Sequence, residues 1–456
     1  MRLSVSLFFL SMAIAACSAP PAVGPPASGS PIMSSQDATT PELDSSGTPD
    51  AAQPTTTPTA DRTCPGPAPT AWISSARADL RTVPAPTEGL AIGAVEYPLP
   101  EDNGNPWSQW GQGVVLDDGR FLSAVGDHRG ADGNSWFYLF DPASGTLERV
   151  GDVLSAVDHR PGSWGYGKVH AQMVLDQCGD VWAATYWGTR RGLEYEGGYE
   201  GDLLIRIDPD TATYGVADVP VPGHGIPSLA IAPAAGLLYG EAVEPGSDPD
   251  DGSFVVYDTA RRHIVFESDD PSPNGFRSVA VDSEERVYVS TGPGQAHRYD
   301  PSSGDFRRFV GIPGGFIRAA TTPDPAGIVY AVTQDPAVFF AISPDGAFHT
   351  ITEAPGYTTS MALDDREGLV YFVSDAHGGA WRSGTPLMAL DVETGDISTI
   401  VQLNPLVEPM LGLHLGGTYD LAFDTDSRRL FIGFNAAPAS TDDSFGAVVL
   451  VIVELP

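Results

Sequence analysis

Val279-Ala280-Val281-Asp282, followed five residues later by Val287-Tyr288, is the stretch on which the fold of this 456-residue chain turns. It returns as Met361-Ala362-Leu363-Asp364 with Val370-Tyr371, and again as Leu421-Ala422-Phe423-Asp424 with Leu430-Phe431. Weaker copies begin near Val114, Met173, Leu229 and Ala320. Each copy is a short apolar run, a turn, and then an apolar–aromatic pair. Repeats of this size, built only from strand-like runs, predict an all-β chain folded as a seven-bladed β-propeller.

Each repeat divides into four strands. Around Val279 the spacing predicts strands at 278–281, 286–290, 296–299 and 306–310. The turn Asp300-Pro301-Ser302-Ser303-Gly304 separates the last two. The same turn chemistry recurs at Asp141-Pro142-Ala143-Ser144-Gly145, Asp208-Pro209-Asp210 and Asp391-Val392-Glu393-Thr394-Gly395. Asp at the first position and Pro at the second suit a type I turn. The seventh repeat ends with its third strand, 446–455. The stretch 91–99 is expected to supply the missing outer strand and so close the ring, removing an exposed edge.

The N-terminus reads as targeting rather than fold. Arg2, an apolar core from Leu3 to Met12, and Ile14-Ala15-Ala16-Cys17 follow the order of a secretory signal, and the last four residues resemble a bacterial lipobox. On that resemblance, residues 1–16 are a lipoprotein signal peptide and Cys17 is the lipidated residue. Residues 17–61 are rich in Pro, Ser, Thr and Ala and too poor in large apolar side chains to offset ordering entropy, so a disordered tether is expected. A pre-domain segment, 62–89, and the propeller, 90–456, complete the chain. The expected location is therefore the cell envelope, with membrane attachment by the lipid alone and the protein a monomer. Cys64 and Cys178 are the two remaining cysteines, and in an exported protein such a pair is expected to be bridged. The bridge would pin the pre-domain segment beneath the second blade.

A net charge of −35 disfavours nucleic acid and anionic lipid as general partners. Against that background the chain has one lysine, Lys168. In a propeller, the segments leading into the inner strands and those leaving the second strands share one face around the channel. The lead-in segments carry Lys168 and His170, His224, Arg277, Arg318, Tyr357 and Tyr419. The exit loops add Trp187, Glu241, His377 and Asn435. These loops are long in the first three blades and the sixth and short in the fourth and fifth, which predicts a groove open on one side. A basic cluster in so acidic a chain would focus an anionic ligand onto one mouth.

In organisation, residues 90–456 resemble the broad group of seven-bladed propellers that includes NHL-like proteins, streptogramin-lyase-like proteins and several polysaccharide-lyase families. The resemblance is one of architecture and carries no catalytic signature. The residue types fit β-elimination from a uronic acid, in which cations neutralise the carboxylate, a base removes the neighbouring proton and an acid protonates the leaving oxygen. Arg277, Arg318 and Lys168 would hold the carboxylate, with His170 or His224 as base and Tyr419 or Tyr357 as acid. Trp110, Trp164 and Trp187 would offer flat faces to sugar rings. Each residue also has a structural alternative, as a bond to a neighbouring blade, an inter-blade ion pair or packing. The expected function is an envelope-anchored propeller that binds a uronate-bearing carbohydrate or another anionic small molecule at its mouth, with cleavage by β-elimination. A non-catalytic interaction scaffold and a metal-dependent lactonase or small-molecule lyase, using Glu241 and Asn435, are the alternatives. No cofactor is expected. The acidic turns 248–252 and 424–426 have spaced oxygens of the kind Ca²⁺ uses, but lack the full loop pattern and read as solvated turns, with a structural calcium as the alternative.

Overall fold

A computed structural model describes residues 64–83, 89–100, 105–186, 199–244, 252–273, 279–309 and 311–456. The repeated phrase resolves into seven antiparallel sheets, each built on four strands, arranged as a seven-bladed propeller. In the fourth blade the strands are Val279–Val281, Val287–Gly292, Gln295–Asp300 and Asp305–Phe309, each within one or two residues of the predicted limits. The inner strands of the first, second, third, fifth, sixth and seventh blades include Val114–Val115, Val174–Leu175, Gly225–Ala232, Phe316–Ala320, Met361–Asp364 and Leu413–Asp424.

In four blades the polar residues at the two ends of the phrase bond to each other. Tyr288 donates its hydroxyl to Asp282 at 3.0 Å, Tyr330 to Asp324 at 3.1 Å and Tyr371 to Asp364 at 3.2 Å. In the second blade the Trp182 indole N–H donates to Asp176 at 2.9 Å. The same carboxylates accept the turn amides, as Asp282 does from Glu284 and Arg286, both at 3.0 Å. One Asp thus closes the turn between the first two strands and fixes the aromatic side chain that packs the blade. The apolar residues form seven clusters, each sandwiched between two neighbouring sheets.

The ring closes as expected, by a strand from the N-terminal side. Ala91–Glu96 pairs antiparallel with Ala447–Glu454, from Ile92 opposite Val453 to Glu96 opposite Val449. The residues before it do more than lead in. Thr70–Ala71, Arg77–Asp79 and Arg81–Val83 add a fifth, outermost strand to the second, first and seventh blades in turn. This strap begins at Cys64, which is disulfide-bonded to Cys178 in the turn beneath the second blade. Among the described residues no helix is long and apolar enough to cross a membrane.

Candidate functional site

The mouth is built where inner-strand lead-ins and second-strand exits meet. Arg318 lies in the inner strand of the fifth blade and is 4% exposed. Its Nε donates to the Tyr357 hydroxyl at 2.7 Å, and its guanidinium lies 5.5 Å from the Tyr357 ring and 5.6 Å from the Tyr419 ring. Burial works against the charge. The neighbouring Tyr357, Tyr419 and Glu241 outweigh it and hold the Arg318 pKa above its ordinary value. Arg318 is therefore a fixed cation in a nearly dry place, where its field is least screened.

Tyr419, 2% exposed, shares a hydrogen bond with His377 Nδ1. The fit follows from glycine at the crossing: a Cβ on Gly417 would stand 2.1 Å from the Ala376 carbonyl oxygen, so only glycine lets the two chains approach. Trp110 completes this side, with its ring 4.8 Å from Tyr419 and 5.9 Å from His377. The structure thus brings together four residues singled out in the sequence, Arg318, Tyr357, Tyr419 and His377, from the fifth, sixth and seventh blades.

Lys168 lies on the second-blade side of Trp110. Its Nζ is 4.3 Å from the Trp110 ring centroid and 5.8 Å from that of Tyr186, and the residue is 5% exposed. An ammonium over an indole face is a favourable arrangement when desolvated. His170 is buried and turned sideways, with Nδ1 at 2.7 Å from the Pro227 carbonyl. A neutral imidazole must therefore carry its proton on Nδ1. His224 is half-buried at the rim and bonds to the Pro222 carbonyl at 2.9 Å. Both histidines expected as bases are thus engaged with backbone carbonyls. Glu241 lies deeper, 2% exposed, and accepts from the Ser228 hydroxyl. Trp164 is buried, edge-on to Tyr199 at 5.4 Å. Arg277, Trp187 and Cys17 lie outside the described residues, as does the acidic turn near residue 250.

His128, Trp107 and Phe445 belong to the same mouth and escaped the sequence reading. Trp107 and Trp110 each lie stacked against both His128 and Phe445, with centroids 5.2 to 5.6 Å apart. Burial, with Lys168 nearby, pushes the His128 pKa down to about 2, so the ring is neutral. The rule that found His377, inspection of second-strand exits, finds His128 when applied to the first blade.

Beneath the mouth a polar layer ties the ring together. Asn435 exchanges two bonds with the Gln109 backbone, accepting at 2.7 Å and donating at 2.9 Å. Asp420 accepts from the Gln109 side chain and from the Gly113 amide. Asn435 therefore works as a blade tie. Among the described residues no three His, Cys, Asp or Glu side chains converge as metal ligands. Asp424 accepts from the Asp426 and Ser427 groups of its own turn.

The chain matches no protein-family model and no curated protein. It is similar to solved propeller structures at low sequence identity. Virginiamycin B lyase from Staphylococcus aureus is 11% identical with a TM-score of 0.49, covering 80% of this chain and all of that one. A streptogramin B lyase structure is 11% identical with a TM-score of 0.48, over 80% of this chain and 98% of that one. The WD40 repeats of RRP9 are 14% identical with a TM-score of 0.47, over 84% of this chain and all of that one. The likeness is one of architecture.

Proposed function

We propose that this chain is an exported, lipid-anchored propeller whose mouth binds a uronate-bearing carbohydrate and cleaves it by β-elimination. The observation that carries the proposal is the grouping of a buried guanidinium, a Tyr–His hydrogen bond and the Lys168 ammonium held over the Trp110 indole at one end of the channel. The strong burial of Lys168 and Arg318 favours a ligand that enters the mouth over a protein laid across it. The order of residues from Arg2 to Cys17 supports export and lipidation.

In this reaction Arg318 neutralises the uronate carboxylate, which makes the adjacent C–H more acidic. His377 accepts that proton as the C–H bond breaks and the double bond forms. Tyr419 gives its proton to the leaving glycosidic oxygen, and the proton on His377 then restores the phenol. Trp110, with Lys168 over its ring and His128 and Phe445 stacked against it, holds that second cation in place. The proton count of the pair is unchanged at the end, so the reaction needs no other reactant.

The test is incubation with a panel of uronate-rich polysaccharides, following the ultraviolet absorbance of the unsaturated product. Tyr419→Phe is expected to lower kcat by ~10²-fold or more while changing KM only a few-fold, as loss of a general acid should. Absence of product across the panel, together with no calorimetric binding of any member, would sink the proposal.

A further inference from the structure

The strap seats one bulky apolar residue in each of two inter-blade grooves. Trp72 packs into the core between the first and second blades and donates its amide to the Ala212 carbonyl at 2.9 Å. Leu80 does the same between the seventh and first blades, donating to Gly145 at 2.8 Å. Ala212 and Gly145 occupy the same place in the repeat, the last residue of the Asp-initiated turn between third and fourth strands. Both have positive φ, 52° and 67°. Leu80 fits because the outer strand beside it offers Gly93, where a Cβ would stand 2.9 Å from the leucine side chain.

Other grooves are filled differently. Between the fourth and fifth blades, Phe309 of the fourth blade's own outer strand reaches Gly346, where a Cβ would stand 2.9 Å from its ring. Between the fifth and sixth blades, Ile351 of the fifth blade's own outer strand comes to 3.6 Å from where a Cβ on Gly395 would stand, and a cavity of about 310 Å³ remains beside it, lined on its apolar side by Ile328, Tyr330, Ala341, Ile351, Val392 and Gly395. Gly395 ends the turn Asp391-Val392-Glu393-Thr394-Gly395 with φ 77° and is the repeat equivalent of Gly145. The outer strand beside it, Phe348–Glu353, ends its sheet, as Thr146–Asp152 and Ala91–Glu96 would without the strap.

We infer that this groove docks an extended segment of a partner protein with the chemistry of the strap, one bulky apolar side chain flanked by arginines. The charge pattern supports the choice. Arg77 of the strap pairs with Glu148 of the outer strand it adds to, at 2.9 Å, and Arg81 lies within electrostatic reach of Glu96 at the end of the next. Phe348–Glu353 likewise ends in an exposed glutamate, and Glu393 stands exposed on the opposite lip. Such a segment would lie along the open edge by main-chain pairing, with its apolar side chain in the cavity.

The experiment titrates a labelled synthetic peptide carrying the chain's own sequence 73–83 against the full-length protein, with photo-crosslinking to map where it sits. Saturable binding is expected, crosslinked to the fifth and sixth blades. It should weaken about tenfold or more when Leu80 of the peptide is changed to Asp, and equally in the Glu353→Lys/Glu393→Lys protein. Both glutamates are exposed, so that protein is expected to keep its thermal midpoint. The inference is overturned by absence of saturation, by undiminished binding to the double variant, or by crosslinks confined to the first, second and seventh blades, which would report displacement of the resident strap. Sedimentation showing that the protein associates with itself through this groove would overturn the choice of partner.

Discussion

Asp202 shows how the mouth trades charge for order. It is buried between the second and third blades, accepting from Thr185 at 2.6 Å and Tyr199 at 3.0 Å. Burial raises its pKa to about 6 despite these two bonds. Between about pH 4 and 6 the folded chain therefore holds a proton that the unfolded chain has released. Stability from this group falls as pH rises through that window, by on the order of 3 kcal/mol at most, and is flat above it. Asp202→Asn keeps the shape and removes the titration. Its thermal midpoint should lie near that of the parent at pH 4 and rise above it by pH 7. A difference that does not vary with pH would show that Asp202 does not titrate in this range. At this scale the sequence was informative about position and silent about direction. Lead-in and exit positions correctly grouped Arg318, Tyr357, Tyr419 and His377 around one mouth. They could not tell that His170 turns its ring to the Pro227 carbonyl, because a strand position fixes where a side chain starts and neighbouring blades fix where it ends.

At the scale of elements, the blades were legible and the strap was not, for one physical reason. Blade strands alternate against two neighbours, and in four blades an Asp is bonded to an aromatic partner, so the signal repeats. The strap strands are two or three residues long and mostly exposed, with neither periodicity nor a turn signature. Arg206 holds the Gly66 carbonyl near its start, and the disulfide between Cys64 and Cys178 spans 114 residues. Closing a loop of that length removes enough freedom from the unfolded chain to stabilise the fold by about 3–5 kcal/mol. The strap strands are short, so their pairing alone is a weak hold. Cys64→Ser is thus expected to lower the thermal midpoint and to speed tryptic cleavage after Arg77 and Arg81, read by mass spectrometry of the fragments. Cleavage at the parental rate would mean that Trp72 and Leu80 hold the strap without the bridge.

At the scale of the whole molecule, seven similar cores make a ring that is closed at one line by sequence-distant strands. Six blades take their four principal strands from one continuous stretch, whereas the seventh takes Ala91–Glu96 from more than 300 residues away. That strand contributes Ile92, Ala94 and Val95, all nearly inaccessible, to the cores on both sides of the seventh blade. Its removal would leave Ala447–Glu454 as an edge with Val449, Val451 and Val453 losing their cover, which is the kind of edge that pairs with other chains. Ala94 stands opposite Val451 on one side and Arg81 on the other, at the centre of this seam. Ala94→Pro deletes a ladder donor there and should be tolerated poorly in a strand paired on both sides. The expected result is a lower urea midpoint together with concentration-dependent association in sedimentation. Leu99→Ser, three residues beyond the same strand and 67% exposed, should leave both measurements unchanged. If Ala94→Pro lowered the midpoint while the protein stayed monomeric, the ring would be holding closed on its other inter-blade cores. The seam would then be a matter of packing rather than of edge protection.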